Sequence, residues 1–460
     1  MTNQINNSIK DRRVSAAIVP SLAYEAVEIE RALLQNCKWL GWASPDRGAL
    51  GRVIPTGAKV VVKPNLVLHQ NRGKGGLLEL VTNASIIKAV VLEALKADPS
   101  CVIVGDAPIQ SCDFQNLLES TGLSSWSADL MMRDSRFGGI VDFRRTVSEI
   151  RSGIRYAQDE IRPIENYVLY NLGSESMLES ISDEKHPFRV TCYDPRLLEK
   201  THSPGNHQYL VARDVIDAEV VVNLPKLKTH KKAGITNALK NLVGINGNKE
   251  YLPHHRLGGS TGGGDCYPGN DPVKRVLEAV LDKQNSATTR VGEKAMAVVS
   301  ENLQRVVRLR GDKIGVEGSW SGNRTVALMT LDLNRILHYG KPDGTFSDEV
   351  QRRVIHVCDA VVAGQGDGPL ASEPLDLNVM LASENPAAMD WVGAQLLGYD
   401  PEKIPLLVHA FEDFRWPIAK FQGREVTLLG DLDLLDQSGQ SSVKQSACVR
   451  HPAGWKAAAA

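Results

Sequence analysis

Short runs rich in valine and isoleucine recur along this 460-residue chain, and they limit what it can fold into. They cover residues 16–19, 59–62, 101–105, 219–224, 327–331, 354–362 and 375–381. Their apolar continuity, without clean alternation, is the pattern of strands covered on both faces. Between them, residues 24–40, 84–97, 272–282 and 387–397 place apolar side chains at three- and four-residue spacing, as amphipathic helices do. The alternation predicts an α/β protein: a mainly parallel sheet with helices on both faces, a Rossmann-like core with insertions. Residues 14–124 read as the first half of that core and 125–207 as a charged insertion. Residues 208–285 read as core bearing a lysine-rich anion site, and 286–324 as a charged helical segment. Residues 325–435 complete the core, and 436–460 form a tail.

The strand ends are unusual. Residues 219–224 run into Pro225, so the chain is expected to leave the sheet there. The stretch that follows carries Lys226, Lys228, His230, Lys231 and Lys232. In open α/β sheets ligands bind beyond the carboxyl ends of strands. An extended backbone would put Lys226, Lys228 and His230 on one side. Lys63-Pro64-Asn65 and Asp106-Ala107-Pro108 follow two other strands in the same way. Polar groups delivered by several strand ends point to a shared site for an anion.

Residues 233–244 are expected to form a helix. Ile235, Ala238, Leu239 and Leu242 make its apolar stripe, and Thr236, Asn237, Lys240 and Asn241 lie opposite, with Gly244 as the stop. Two asparagines on that face are poor helix formers, which favours specific hydrogen bonding over a solvated surface. Lys249 follows, then His254 and His255, of which one at most can face the site. Lys232 is expected to face solvent. Asp106 and Asp359 are candidate ligands for a divalent metal, and Asp390, inside an apolar helix, is a candidate partner for a lysine. The turn Ala363-Gly364-Gln365-Gly366-Asp367-Gly368-Pro369 looks like a phosphate cradle, although no Walker lysine follows.

Composition excludes several classes. A net charge of -1 and 5% aromatic residues argue against nucleic acid as a partner. No apolar run is long enough for a membrane span, and the N-terminus lacks a signal-peptide core, so no membrane partner and a cytoplasmic location are expected. Of seven cysteines, none makes a C-x-x-C pair, so no iron–sulfur cluster is expected. The segment 286–316 reads as a second insertion or as the contact of a homo-oligomer.

VVVKPNLV at residues 60–67, VGDAP at 104–108 and NLPKLKTHKKAGITNALKNLVG at 223–244 resemble the family of domain of unknown function 362. AGQGDGP at 363–369 and NPAAMDWVGAQLLGYDPEKI at 385–404 resemble it too. Many relatives in that family carry a ferredoxin-like cysteine module, which this chain lacks, so the resemblance implies no electron transfer here. More distantly, the chain is similar to nickel-pincer lactate racemases, in which Lys240 and His254 would be the matching lysine and histidine.

These readings converge on an enzyme for an anionic small molecule, phosphorylated or carboxylated. Lys63, Lys226, Lys228 and Lys249 would hold the anion. Asn65, Thr236, Asn237, Asn241 and His254 would orient it, and Lys240 or His230 would serve as the acid–base group. A binding protein without turnover and a racemase or epimerase of the nickel-pincer kind are the alternatives.

Overall fold

A computed structural model describes residues 8–151, 154–191, 193–431 and 449–459. Among the described residues its main sheet has ten strands, the central ones β-branched runs buried on both faces. In chain order these are β1 (Arg13–Ile18), β2 (Lys59–Pro64), β3 (Cys101–Asp106), β4 (Phe137–Asp142), β5 (Val220–Leu224), β6 (Lys226–His230) and β7 (Gly234–Thr236). Three more follow: β8 (Arg353–Asp367), β9 (Ala371–Ser383) and β10 (Thr427–Gly430). The helices that matter for the site are α1 (Ala26–Leu40), α2 (Ala84–Lys96), α3 (Ala238–Asn241), α4 (Pro272–Asn285), α5 (Arg290–Leu309), α6 (Thr325–Tyr339) and α7 (Pro386–Leu396).

The sheet order is β10-β1-β9-β8-β5-β2-β3-β4, with β6 and β7 on a branch from β8. The stretch β8-β5-β2-β3-β4 is parallel throughout. The chain moves outward from β2 to β3 and β4, then returns to place β5 and β8 on the other side. That reversal is the doubly wound order, and it opens a crevice at the carboxyl ends of β2 and β5. The antiparallel pairs β8–β9 and β1–β9 extend the sheet beyond it.

Residues along β2 serve the two faces alternately. Val60 and Val62 join the core beneath α1 and α2, whereas Val61 joins Val221, Val354 and α6 on the other face. Side chains buried on both sides contribute roughly 1.5–3 kcal/mol each relative to exposure, which explains why these strands carry no polar alternation. Caps set the helix ends. Asn83 Oδ1 accepts from the Ser85 N–H at 2.8 Å to start α2. Asn385 Oδ1 accepts from Ala387 and Ala388 at 2.9 and 3.0 Å to start α7, one residue before Pro386.

Several expectations are corrected. Residues 327–331 are not a strand but part of α6, every residue of which is buried. An all-round apolar helix and a buried strand give the same short apolar run. The segment after residue 124 is not wholly an insertion, because β4 pairs with β3 and forms an edge of the main sheet. Pro225 interrupts the ladder for one residue only. Its carbonyl still accepts the Asp359 N–H at 2.9 Å, and β6 continues alongside β8. The expected helix over 233–244 is split. Gly234–Thr236 turns back on β6 as β7, and helical geometry is confined to α3 and a 3-10 turn at Leu242–Ile245. The glycine turn at 363–369 joins no helix. It is the hairpin between β8 and β9.

Among the described residues no helix is long and apolar enough to cross a membrane. The described cysteines Cys37, Cys101, Cys112, Cys266 and Cys358 are free thiols. Cys192, Cys448 and most of the expected tail, through residue 448, lie outside the described residues.

The ion pair Lys226–Asp359, 2.9 Å long with both side chains at 0% exposure, joins β6 to β8. Asp359→Asn is expected to leave an uncompensated ammonium and lower unfolding stability by about 3–5 kcal/mol. Chemical denaturation measures this, and adding Lys226→Met should recover part of the loss. An unchanged midpoint in the single variant would show the pair to be dispensable.

Candidate functional site

The crevice at the carboxyl ends of β2, β3 and β6 widens into a cavity of about 740 Å³. That lies within the range of roughly 300–1,000 Å³ usual for small-molecule sites. Of the residues singled out in the sequence, Asn65, Asp106, Lys228, His230, Thr236, Lys240, Asn241, Lys249 and His254 line it. Lys63, Lys226, Asn237 and Asp359 do not, and each has a different task.

Lys63 and Lys226 are neutralised inside the protein. Lys63 Nζ donates to Asp106 Oδ1 at 2.6 Å and to the Pro64 carbonyl at 2.9 Å. Asp106 Oδ2 accepts the Leu66 N–H at 2.7 Å. Lys226 Nζ reaches Asp359 Oδ2 at 2.9 Å and the Tyr24 hydroxyl at 3.0 Å. Asp359 also accepts from that hydroxyl at 2.8 Å and from the Asn83 N–H at 2.9 Å. Asp106 and Asp359, the two carboxylates considered for a metal, are each paired with a lysine in the fold. Burial works against the charge on both lysines, and the adjacent carboxylate supports it.

Lys228 and Lys249 have no such carboxylate. Lys228 Nζ donates to Asn65 Oδ1 at 2.9 Å and to the Leu80 carbonyl at 2.5 Å. Burial, followed by the charges of Lys226 and Lys240, brings it down to about 7. Lys249 Nζ donates to the Ala107 carbonyl at 2.8 Å, and burial brings it down to about 8. Lys240 stands apart: among the described residues its amine has neither a hydrogen-bond nor an ion-pair partner, and it lines the cavity from α3. Burial, then Lys249, Lys232 and Lys63, bring it down to about 7. A substantial fraction is free amine at neutral pH, available as a base, a nucleophile or, once protonated, an anion's partner.

The backbone around Lys240 is fixed by polar groups that helical periodicity does not reveal. Asp390 lies buried in α7 and accepts from the Leu239 N–H at 3.4 and 3.3 Å. It therefore caps α3 rather than pairing with a lysine. Asn237 holds the Met389 carbonyl at 3.1 Å, and Asn241 bridges Asn223 at 2.8 Å and Asn65 at 2.8 Å. Gly244 passes so close to Asp106 and Lys63 that a Cβ there would overlap both. Its role is close approach, not helix termination. Thr236 Oγ1 lines the cavity with no hydrogen-bond partner.

The two cavity histidines differ in tautomer. His230 Nδ1 accepts from the Lys232 and Ala233 N–H groups at 3.0 and 3.2 Å. Its proton is therefore on Nε2, and the ring is a donor. His254 Nδ1 faces the Leu252 carbonyl at 2.7 Å, so it carries the proton and leaves Nε2 as an acceptor. Burial and the surrounding lysines hold both well below the usual histidine range, so both rings are neutral. Of the two rings, His254 leaves a bare nitrogen and His230 does not.

The cavity also takes Arg72, Gln110 and Thr191, which the sequence pattern did not single out, and Lys231 and Lys232, to which it gave no place in the site. Lys232 does not simply face solvent: Nζ donates to Thr191 Oγ1 at 3.3 Å on the cavity wall. The turn after β6 brings it back, a reversal invisible in an alternation pattern. Lys231 pairs with Asp367 at 3.7 Å on the same rim.

Residues 174–395 match the family described as Domain of unknown function (DUF362). A thylakoid-associated protein of Synechocystis sp. is 21% identical over 393 residues, 85% of this chain and 77% of its own length. Among solved structures, a lactate racemase apoprotein from Thermoanaerobacterium thermosaccharolyticum superposes with a TM-score of 0.33 at 9% identity, covering 85% of this chain. A protein from Thermotoga maritima superposes with a TM-score of 0.31 at 9% identity, covering 76%. The chain spans 58% and 54% of those two structures, and likeness at that level does not bear on the site.

Because Lys232 is one of the charges that depress Lys240, Lys232→Met is expected to raise the Lys240 midpoint above about 7. The pH dependence of amine modification, read by peptide mass spectrometry, measures it. A midpoint unmoved by the substitution would show that Lys232 does not act on Lys240.

Proposed function

We propose that this chain, whose residues 174–395 match the DUF362 family, is an enzyme acting on an anionic small molecule, phosphorylated or carboxylated, held at the carboxyl ends of the parallel strands. One observation carries the reading: among the described residues Lys240 presents an unpartnered amine to a cavity in which Lys228 and Lys249 donate only to neutral acceptors, while two carboxylates lining it, Asp106 and Asp367, are taken by Lys63 and Lys231. Several like charges are costly in one buried place unless a ligand of opposite charge joins them. A bound anion would hydrogen-bond to Lys228, Lys240 and Lys249, and accept from His230 Nε2–H and Asn65. His254 Nε2 would take or return a proton beside Lys240. Such a pair suits proton transfer next to a carboxylate or phosphate, and isomerase, transferase and ligase chemistry all fit it.

A racemase or epimerase of the nickel-pincer kind is a second reading. It is favoured by Lys240 and His254 opening on one cavity, each with a free nitrogen. Lys240 would carry the group covalently and His254 would offer a ligand, and the group would supply hydride chemistry. An adduct on the Lys240 peptide of protein purified from cells supports this reading. An unmodified peptide from cells supplied with nickel counts against it.

The proposal is tested by thermal shift against phosphorylated and carboxylated metabolites, followed by calorimetry on those that stabilise. Lys240→Met is expected to keep the fold and weaken the best anion by about 1.5–3 kcal/mol, on the order of 10- to 150-fold. Full affinity in that variant would sink the assignment.

Affinity should also depend on pH in a defined direction. Lys228 and Lys240 titrate at about 7 and Lys249 at about 8. Below those values all three are charged; as pH rises through them charge is lost. Binding of a fully ionised anion should therefore weaken as pH rises from about 6.5 to 8.5, well below the usual lysine range. A flat profile over that interval contradicts the depressed lysines.

A further inference from the structure

We propose that His255, Cys266 and Glu278 form a divalent-metal site, with zinc the ion best suited to their donors. The site is separate from the lysine cavity and from the carboxylates Asp106 and Asp359. A ring nitrogen of His255, the Cys266 sulfur and a Glu278 carboxylate oxygen lie within 4.8 Å of one another, and all three residues are buried. Imidazole, thiolate and carboxylate are the donors zinc takes in protein sites.

A second observation points to an occupant. His255 Nδ1 is buried without a hydrogen-bond partner, and Glu278 Oε2 has none at full hydrogen-bond geometry, the Cys266 thiol and the Tyr267 hydroxyl standing beside the carboxylate. Buried polar atoms are almost always satisfied, so two such atoms in one cluster, each a good metal donor, call for a common acceptor of their lone pairs. The other Glu278 oxygen is held in place, accepting the Gly258 N–H at 2.9 Å. Charge agrees: a buried thiolate and carboxylate are costly alone, and a divalent cation balances both.

The surroundings explain why an ion would be useful there. Gly258 to Val316 forms a satellite of glycine-rich loop, α4 and α5, with a small core of its own around Cys266, Tyr267, Leu277, Val307 and Val316. An ion would tie that loop (Cys266) and α4 (Glu278) to the short strand His255–Arg256. That strand pairs with Phe188–Arg189 of another part of the chain. Small cores commonly rely on such a staple. The link also reaches the cavity. His254 lines it and His255 turns the opposite way, while Gly318 N–H donates to the Cys266 carbonyl at 2.9 Å between the cavity residues Glu317 and Ser319. The ion would be a positioning device for that wall.

The test is metal analysis of the full chain from zinc-containing medium, without chelator. It is followed by removal of metal and titration with zinc and with cobalt. About one equivalent per chain is expected, with a thiolate-to-cobalt charge-transfer band in the near ultraviolet. Cys266→Ser should lose the band, and Glu278→Gln should bind at least tenfold more weakly. If Cys266→Ser does not fold, Glu278→Gln still decides, because its carboxamide keeps the shape of the side chain. No stoichiometric metal in the purified chain and none on titration would overturn the proposal. So would stoichiometric metal retained at full affinity by the folded variants.

Discussion

Burying lysine ammonium groups close together is the physical constraint on which this site depends. Two are satisfied within the fold, Lys63 by Asp106 and Lys226 by Asp359, and these pairs tie the end of β2 to that of β3 and the start of β6 to the middle of β8. Lys228 and Lys249 have only neutral acceptors, and Lys240 has none among the described residues. Carbonyl and amide contacts hold Lys228 and Lys249 in place, and neither makes an ion pair among the described residues. On the proposed reading, a bound anion supplies the opposite charge that these three amines lack.

The topology makes this arrangement attainable. Reversal of strand order between β2 and β5 leaves an open crevice where parallel strands end. Neighbouring strand termini deliver polar side chains to one place without burying loops. The β6–β7 hairpin then folds over that crevice and carries Lys228, His230 and Thr236 into it. Asparagine amides, at Asn65, Asn223 and Asn241, cross-link the strand ends and α3 so that the lysines keep their positions. A polar network of this kind is specific because each member has one geometry that satisfies it.

Much of this was legible in the residues, for reasons that can be named. The strands β2, β3, β5 and β8 were visible because burial on two faces demands unbroken β-branched runs. The lysine cluster was visible because so many cations in a short apolar stretch serve no packing purpose. Other features depend on contacts remote in sequence. Asp390 caps α3 from a helix some 150 residues away, and its partners are backbone groups that no pattern announces. Lys232 looked solvated because alternation assumes a straight strand, and the chain turns. The stretch 233–244 looked helical because its apolar spacing is helical, whereas pairing with β6 outweighs that propensity over Gly234–Thr236. The length of α6 was hidden by its own burial, which erases amphipathic periodicity.

The central claim, that the cavity is an anion site built from amines partly deprotonated at neutral pH, is tested most directly by proton linkage. Calorimetric titration with oxalate or sulfate, which stay ionised, at about pH 7.5 in buffers of different ionisation enthalpy measures the protons taken up on binding. The account predicts net uptake, diminished in Lys240→Met, because the anion draws Lys228, Lys240 and Lys249 back to their charged forms. Binding with no proton uptake, or no binding of the better ligands found by thermal shift, would contradict it.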